Sequence, residues 1–150
     1  MSGHISKHIH RPKIEAICED RVIITTNERK EMPSKTEGGL RVYFEFPSFT
    51  MDAHLTKLPP GGKSKLHRHL DEGIILILQG KGRSRVGDRE VQWQQGDVLF
   101  IPKWNWHQHF ASPETGAEYF AVTNQPLLEN LGKFNVTEEP EEGAHHSSSS

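Results

Sequence analysis

The chain of 150 residues is poor in cysteine, in long apolar runs and in charge of one sign, and each shortage removes a class of explanation. Its single cysteine, Cys18, excludes an intramolecular disulfide. The start, MSGHISKHIHRPK, lacks the apolar run of a secretory signal, so the chain reads as a cytoplasmic protein. The longest apolar stretch, Ile74 to Leu78, falls far short of the roughly 20 residues of a membrane-spanning helix. The formal net charge is −2, and the 18 basic and 20 acidic side chains alternate along the chain, which leaves no basic footprint for nucleic acid or an anionic membrane. There is no nucleophile with an adjacent base and no phosphate-cradling glycine loop, so hydrolase and kinase chemistry lack support. The length and a hydrophobic content of 33% fit one domain around a single core.

What remains is a change of texture along the chain. The first 40 residues are polar and mixed, with a short helix or strand between Ile14 and Thr26 and a loop marked by Pro33, Gly38 and Gly39. From Leu40 onward short β-type runs alternate with turn residues: Arg41 to Phe46, Phe49 to Leu58, Ile74 to Gln79, Arg83 to Val86, Glu90 to Trp93, Val98 to Ile101, Trp106 to Phe110 and Glu118 to Thr123. Such spacing predicts an antiparallel barrel or sandwich. Gly87-Asp88 marks a hairpin, and Pro59-Pro60-Gly61-Gly62 and Gly96-Asp97 mark two further corners. A short helix is expected at Leu127 to Leu131, followed by a low-complexity acidic and serine tail, EEPEEGAHHSSSS.

Two His-x-His pairs stand out, His67 with His69 and His107 with His109. Alternate residues of a strand share a face, so each pair presents two imidazoles side by side, and the pairs can converge on one metal ion. His4, His8, His10, His145 and His146 read as solvated terminal residues. His54, in the polar run TMDAHLTK, reads as a surface histidine, and Trp93 as structural.

Gly61-Gly62-Lys63-Ser64-Lys65-Leu66-His67-Arg68-His69, continuing to Leu78-Gln79-Gly80, resembles the first motif of the cupin superfamily. Gly96-Asp97-Val98-Leu99-Phe100-Ile101-Pro102 through His107 resembles the second. The two span about a third of the chain. The resemblance implies an all-β fold, a cupin-type antiparallel β-barrel of jelly-roll form, with an N-terminal arm over 1–40, the barrel over 41–126, a short C-terminal helical segment over 127–137 and a tail over 138–150. It also implies a metal in the barrel mouth held by His67, His69 and His107. The usual cupin glutamate ligand falls at Gly73, and Glu72, one residue early, has the wrong strand parity, so a three-histidine site is expected with Glu72 turned outward.

His67-Arg68-His69 with Pro102-Lys103-Trp104-Asn105-Trp106-His107-Gln108-His109 further resembles one domain of the iron-dependent gentisate and salicylate 1,2-dioxygenases, which also use three histidines. The resemblance implies one divalent metal per chain, iron(II) first and zinc, manganese or nickel as alternatives. It implies a small aromatic or oxygenated substrate together with dioxygen. His109 would then be a hydrogen-bonding or proton-transfer residue, with Trp104, Ile75 and Ile77 lining the substrate pocket and Trp106 near the mouth. The family's substrate-clamping arginine falls at Ile75, so an acidic substrate would need another partner such as Arg83 or Arg85. A non-oxidative metal enzyme (isomerase, lyase or decarboxylase) and a non-catalytic ligand-binding cupin are the alternatives. Cupins of this kind commonly pair, and a homodimer is expected.

Overall fold

In a computed structural model the described residues are 21–34, 39–132 and 137–141. Cys18 and the histidines at positions 4, 8, 10, 145 and 146 lie outside them, as does most of the stretch expected to form the first helix or strand. Among the described residues there are a 3-10 turn (Thr26–Glu28), ten strands and one α-helix: β1 (Met32–Pro33), β2 (Leu40–Phe44), β3 (Asp52–Leu58), β4 (Arg68–His69), β5 (Gly73–Val86), β6 (Arg89–Gln94), β7 (Val98–Ile101), β8 (His107–Ala111), β9 (Ala117–Thr123), α1 (Gln125–Asn130) and β10 (Thr137–Glu138). Every pairing is antiparallel, and the fold is the all-β jelly roll with one short helix.

The long strand β5 organises the molecule. Its first half, Gly73 to Gly80, pairs with β9 on one side, and Gly73 to Leu76 with β7 on the other. Its second half, Lys81 to Val86, pairs with β6 and β8. The sequence pattern suggests two strands here because Gly80 and Gly82 interrupt the apolar alternation. The glycines instead let one strand turn a corner. The ladder with β9 slips one residue between Ile77 and Gln79, Gly80 has φ +79°, and a Cβ on Gly82 would lie 2.2 Å from the Phe110 carbonyl oxygen and 2.4 Å from the Trp93 ring.

Alternation then decides what faces inward. Gly73, Ile75 and Ile77 are buried, while Ile74 and Leu76 are exposed. Ile75, Ile77, Leu99, Ile101, Tyr119 and Ala121 from one layer pack with Trp93 and Ala111 from the other, forming one core. No described helix is long and apolar enough to cross a membrane.

The candidate metal centre

The core fills one end of the barrel, and the histidines occupy the other. His67 bridges to His107 at the start of β8, with backbone hydrogen bonds in both directions (3.2 and 2.9 Å), and His69 ends β4. The ring centroids are 4.3 Å apart for His67 and His107, 4.7 Å for His69 and His107, and 5.4 Å for His67 and His69. One potential ligating nitrogen from each ring lies within 4.8 Å of the other two, so small side-chain adjustments bring all three to the about 2.0–2.1 Å of a metal–imidazole bond.

Each of the three rings is oriented through Nδ1. His67 Nδ1 lies 2.8 Å from the Lys65 carbonyl, His107 Nδ1 2.9 Å from that of Asn105, and His69 Nδ1 3.0 Å from that of Asp71. A carbonyl can only accept, so Nδ1 carries the hydrogen and Nε2 keeps its lone pair for a metal. Asp71 adds its carboxylate, 3.1 Å from the same His69 nitrogen. Burial, with the neighbouring imidazoles, holds His107 down at about 2, and burial likewise lowers His67. Burial also opposes charge on His69, but the Asp71 hydrogen bond and charge outweigh it and raise that histidine. Three imidazoles with Nδ1 anchored and Nε2 facing a common space fit a divalent transition metal. Glu72 is exposed, its backbone N–H tied to Asn124, and it takes no part.

His109 differs from the three. It is 6% exposed, and its Nδ1 lies 2.7 Å from Ser84 Oγ, which accepts the Trp93 indole N–H at 2.8 Å. The serine oxygen carries two lone pairs and one hydrogen, so while accepting from the indole it can still donate to His109 Nδ1 or accept from it. Burial keeps His109 neutral, with its value lowered to about 3. Trp93, expected to be structural, is buried and holds Ser84 beside this ring.

The cavity over these rings holds about 310 Å³. Ile75, Ile101 and Ala121 form its apolar floor, and Tyr119 stands against His109 with ring centroids 5.5 Å apart. Larger hollows of about 440 and 680 Å³ open elsewhere on the surface and contain none of the histidines.

Several sequence-based expectations need correction. Ile77 faces inward but is sealed in the core and does not line the cavity. Trp104 and Trp106 lie outside the cavity lining too. Their ring faces cover the Arg68 guanidinium, at 4.3 and 4.6 Å, because Arg68 has the opposite parity to His67 and His69 and points away from the site. Arg83 and Arg85 are exposed, Arg83 pairing with Glu90 over the Phe110 ring. His54 is a cavity residue and not a surface one, with burial and then Arg41 lowering it to about 3. It shares a strand face with the buried Thr56 and Leu58, and that alternation was the signal that could have located it. Arg41, Asp71 and Tyr119 also border the cavity and were missed.

Residues 54–123 match the cupin domain family, and the strands and histidines described above lie within or beside that match. It is similar to a 5-aminosalicylate 1,2-dioxygenase of Comamonas (26% identical over 96 residues, 64% of this chain and 25% of that protein). It is also similar to a 1-methylthio-D-xylulose 5-phosphate methylsulfurylase of Rhodospirillum rubrum (30% over 84 residues, 56% of this chain and 54% of that protein). Among solved structures, a cupin-2 domain from Rhodospirillum rubrum superposes with a TM-score of 0.61 at 25% identity, covering 75% of this chain and 72% of that one. The chain spans about a quarter and about half of the length of the two curated relatives.

Proposed function

We propose that this chain is a mononuclear cupin dioxygenase that uses iron(II) on a small aromatic or oxygenated substrate. The observation that carries the reading is the convergence of three rings with Nδ1 anchored on carbonyls and Nε2 free, in a cavity that a fourth, buried histidine, His109, also lines. His67, His69 and His107 would hold the metal. Bound there with positions left open, iron(II) supplies the one-electron chemistry that lets dioxygen react with a coordinated organic substrate.

The chain's own contributions are orientation and solvent exclusion. The Lys65, Asp71 and Asn105 carbonyls fix the ring planes before any ligand arrives. Ile75, Ile101 and Ala121 keep water from the floor of the cavity. His109, held at Nδ1 by Ser84, borders the cavity and would exchange a hydrogen bond with an oxygen of the bound substrate. Similarity to the aminosalicylate dioxygenase supports this reading.

A second reading follows from the similarity to a methylsulfurylase, a relative whose printed activity is not an oxygenation. In that case the same three histidines would hold zinc, manganese or nickel as a Lewis acid. Oxygen uptake by iron(II)-loaded protein across a panel of hydroxybenzoates, aminosalicylates and diketones tests the choice. Substrate-dependent uptake is expected; turnover that proceeds equally without oxygen favours the second reading. A cytoplasmic homodimer belongs to the same proposal, supported by the exposed apolar row of Ile74, Leu76, Val98 and Phe100 on the outer face of β5 and β7.

A further inference from the structure

We infer that the C-terminal strand β10 is a displaceable wall of the histidine cavity, latched from outside by Glu138 on Arg68, and that its release is the step through which metal and ligand enter and leave. The inference rests on the reading of the three histidines as a metal centre and adds how access to that centre is controlled.

The register of β10 on β4 sets which side chains face the cavity. Thr137 lies opposite His69, and Glu138 opposite Arg68. Residues directly opposite in an antiparallel pair share a face, so Thr137 points with His69 towards the cavity and Glu138 points with Arg68 away from it. Thr137 and Glu139 accordingly line the cavity beside His67 and His69, and Glu138 does not. A strand far along the chain from both histidine pairs thus forms part of the mouth.

The hold on this wall is short and one-sided. Among the described residues β10 is two exposed residues long and pairs with β4 alone, in a two-stranded sheet separate from the eight-stranded one. Two ion pairs supplement that ladder. Arg68 Nε and Nη2 donate to one carboxylate oxygen of Glu138 at 2.8 and 2.6 Å, and Lys65 Nζ lies 3.7 Å from Glu139. Exposed ion pairs hold weakly, but the Arg68 guanidinium is set in place beforehand, because the faces of Trp104 and Trp106 cover it at 4.3 and 4.6 Å. Trp104 reaches that position with φ +58°, in the left-handed region that residues other than glycine rarely adopt, and its N–H donates to the His69 carbonyl at 2.7 Å. A strained backbone that fixes an aromatic face on a cation has a use if the latch must re-form in one position after each opening. Arg68, Glu138 and both indoles lie outside the cavity lining, so the latch can open without disturbing the ligating rings.

The test measures zinc exchange in the full-length chain: release from the loaded protein into excess EDTA, and uptake by the metal-free protein followed with a zinc-sensitive dye. Glu138→Gln should speed both by about three- to tenfold and leave their ratio, and so the affinity, unchanged. A wall that closes over the empty and the filled site alike alters rates and not equilibrium. Glu90→Gln, which removes the exposed pair with Arg83, should alter neither rate. If Glu138→Gln does not fold, Glu138→Asp should still speed both rates, because the shorter stem draws the carboxylate back from Arg68. Unchanged rates in the folded variant overturn the inference, and so does faster release without faster uptake, which would mean loosened ligands. In the metal-free chain the modification of His67 and His107 by diethyl pyrocarbonate should rise in the same variant by a similar factor. That comparison stands even if the native chain takes up no zinc, a result that would count against the metal centre alone.

Discussion

A neutral imidazole has one nitrogen that donates and one that accepts, so whatever engages Nδ1 decides what Nε2 can do. Three main-chain carbonyls make acceptors of His67, His69 and His107 Nε2, and the Ser84 hydroxyl holds His109 through its Nδ1. The Ser84 hydroxyl also takes the Trp93 indole N–H and so links that ring to His109. Ser84→Ala leaves the buried Trp93 N–H without an acceptor, and a loss of about 1–3 kcal/mol in urea unfolding is expected. The same variant should bind metal normally, since none of the three anchoring carbonyls is touched; reduced metal content would show that Ser84 supports the ligands directly. At this scale the sequence was partly legible. The two His-x-His pairs and the misplaced Glu72 could be read from spacing and parity alone. Asp71 and Arg41 could not, because their roles depend on Asp71 folding back on His69 and on β2 lying beside β3, neither of which leaves a periodic trace.

At the scale of elements, the corner in β5 holds the site open. The first half of that strand carries Ile75 to the cavity floor, and the second half carries Ser84 to His109. Gly82 lies where the two layers meet, beneath the Trp93 ring and against the Phe110 carbonyl. Gly82→Ala puts a methyl group into backbone and aromatic ring at once, and a destabilisation of about 2 kcal/mol or more is expected by thermal or urea unfolding. A neutral outcome would mean that the corner can relax. Most strands were legible from their alternation and their turn residues. The merging of two expected runs into β5 was not, because glycine in a strand pattern signals both an end and a bend. The pairing of β10 with β4, which ties Glu138 to Arg68 by hydrogen bonds of 2.8 and 2.6 Å, was hidden for another reason: an acidic, low-complexity stretch gives no strand signal.

For the molecule as a whole, burying several neutral histidines links stability to pH. His54, His107 and His109 are lowered to about 3, 2 and 3, chiefly by burial, against an ordinary value of 6.5. In the unfolded chain they take up protons below pH 6.5, while the folded chain resists until near pH 3. Their contribution is therefore complete above pH 6.5 and is lost progressively as pH falls from 6.5 towards 3, each group adding up to about 1.4 kcal/mol per pH unit. His69 runs the other way: Asp71 favours its charged form, so its contribution is present below pH 6.5 and disappears as pH rises through its raised value. Metal-free protein followed by urea unfolding between pH 7 and 4 should lose stability steeply with acid; a flat profile would mean that these rings are solvated. The exposed row of Ile74, Leu76, Val98 and Phe100 predicts a second effect at this scale. Phe100→Glu should shift the sedimentation of the proposed dimer to that of a monomer; an unchanged sedimentation coefficient would remove this face from the interface.

The claim on which the rest depends is that His67, His69 and His107 hold one metal ion between them. Metal content after iron(II) loading and desalting, compared between the native chain and His107→Ala, measures it directly. The account predicts about one ion per native chain and close to none in the variant. Equal content in the two proteins would contradict it.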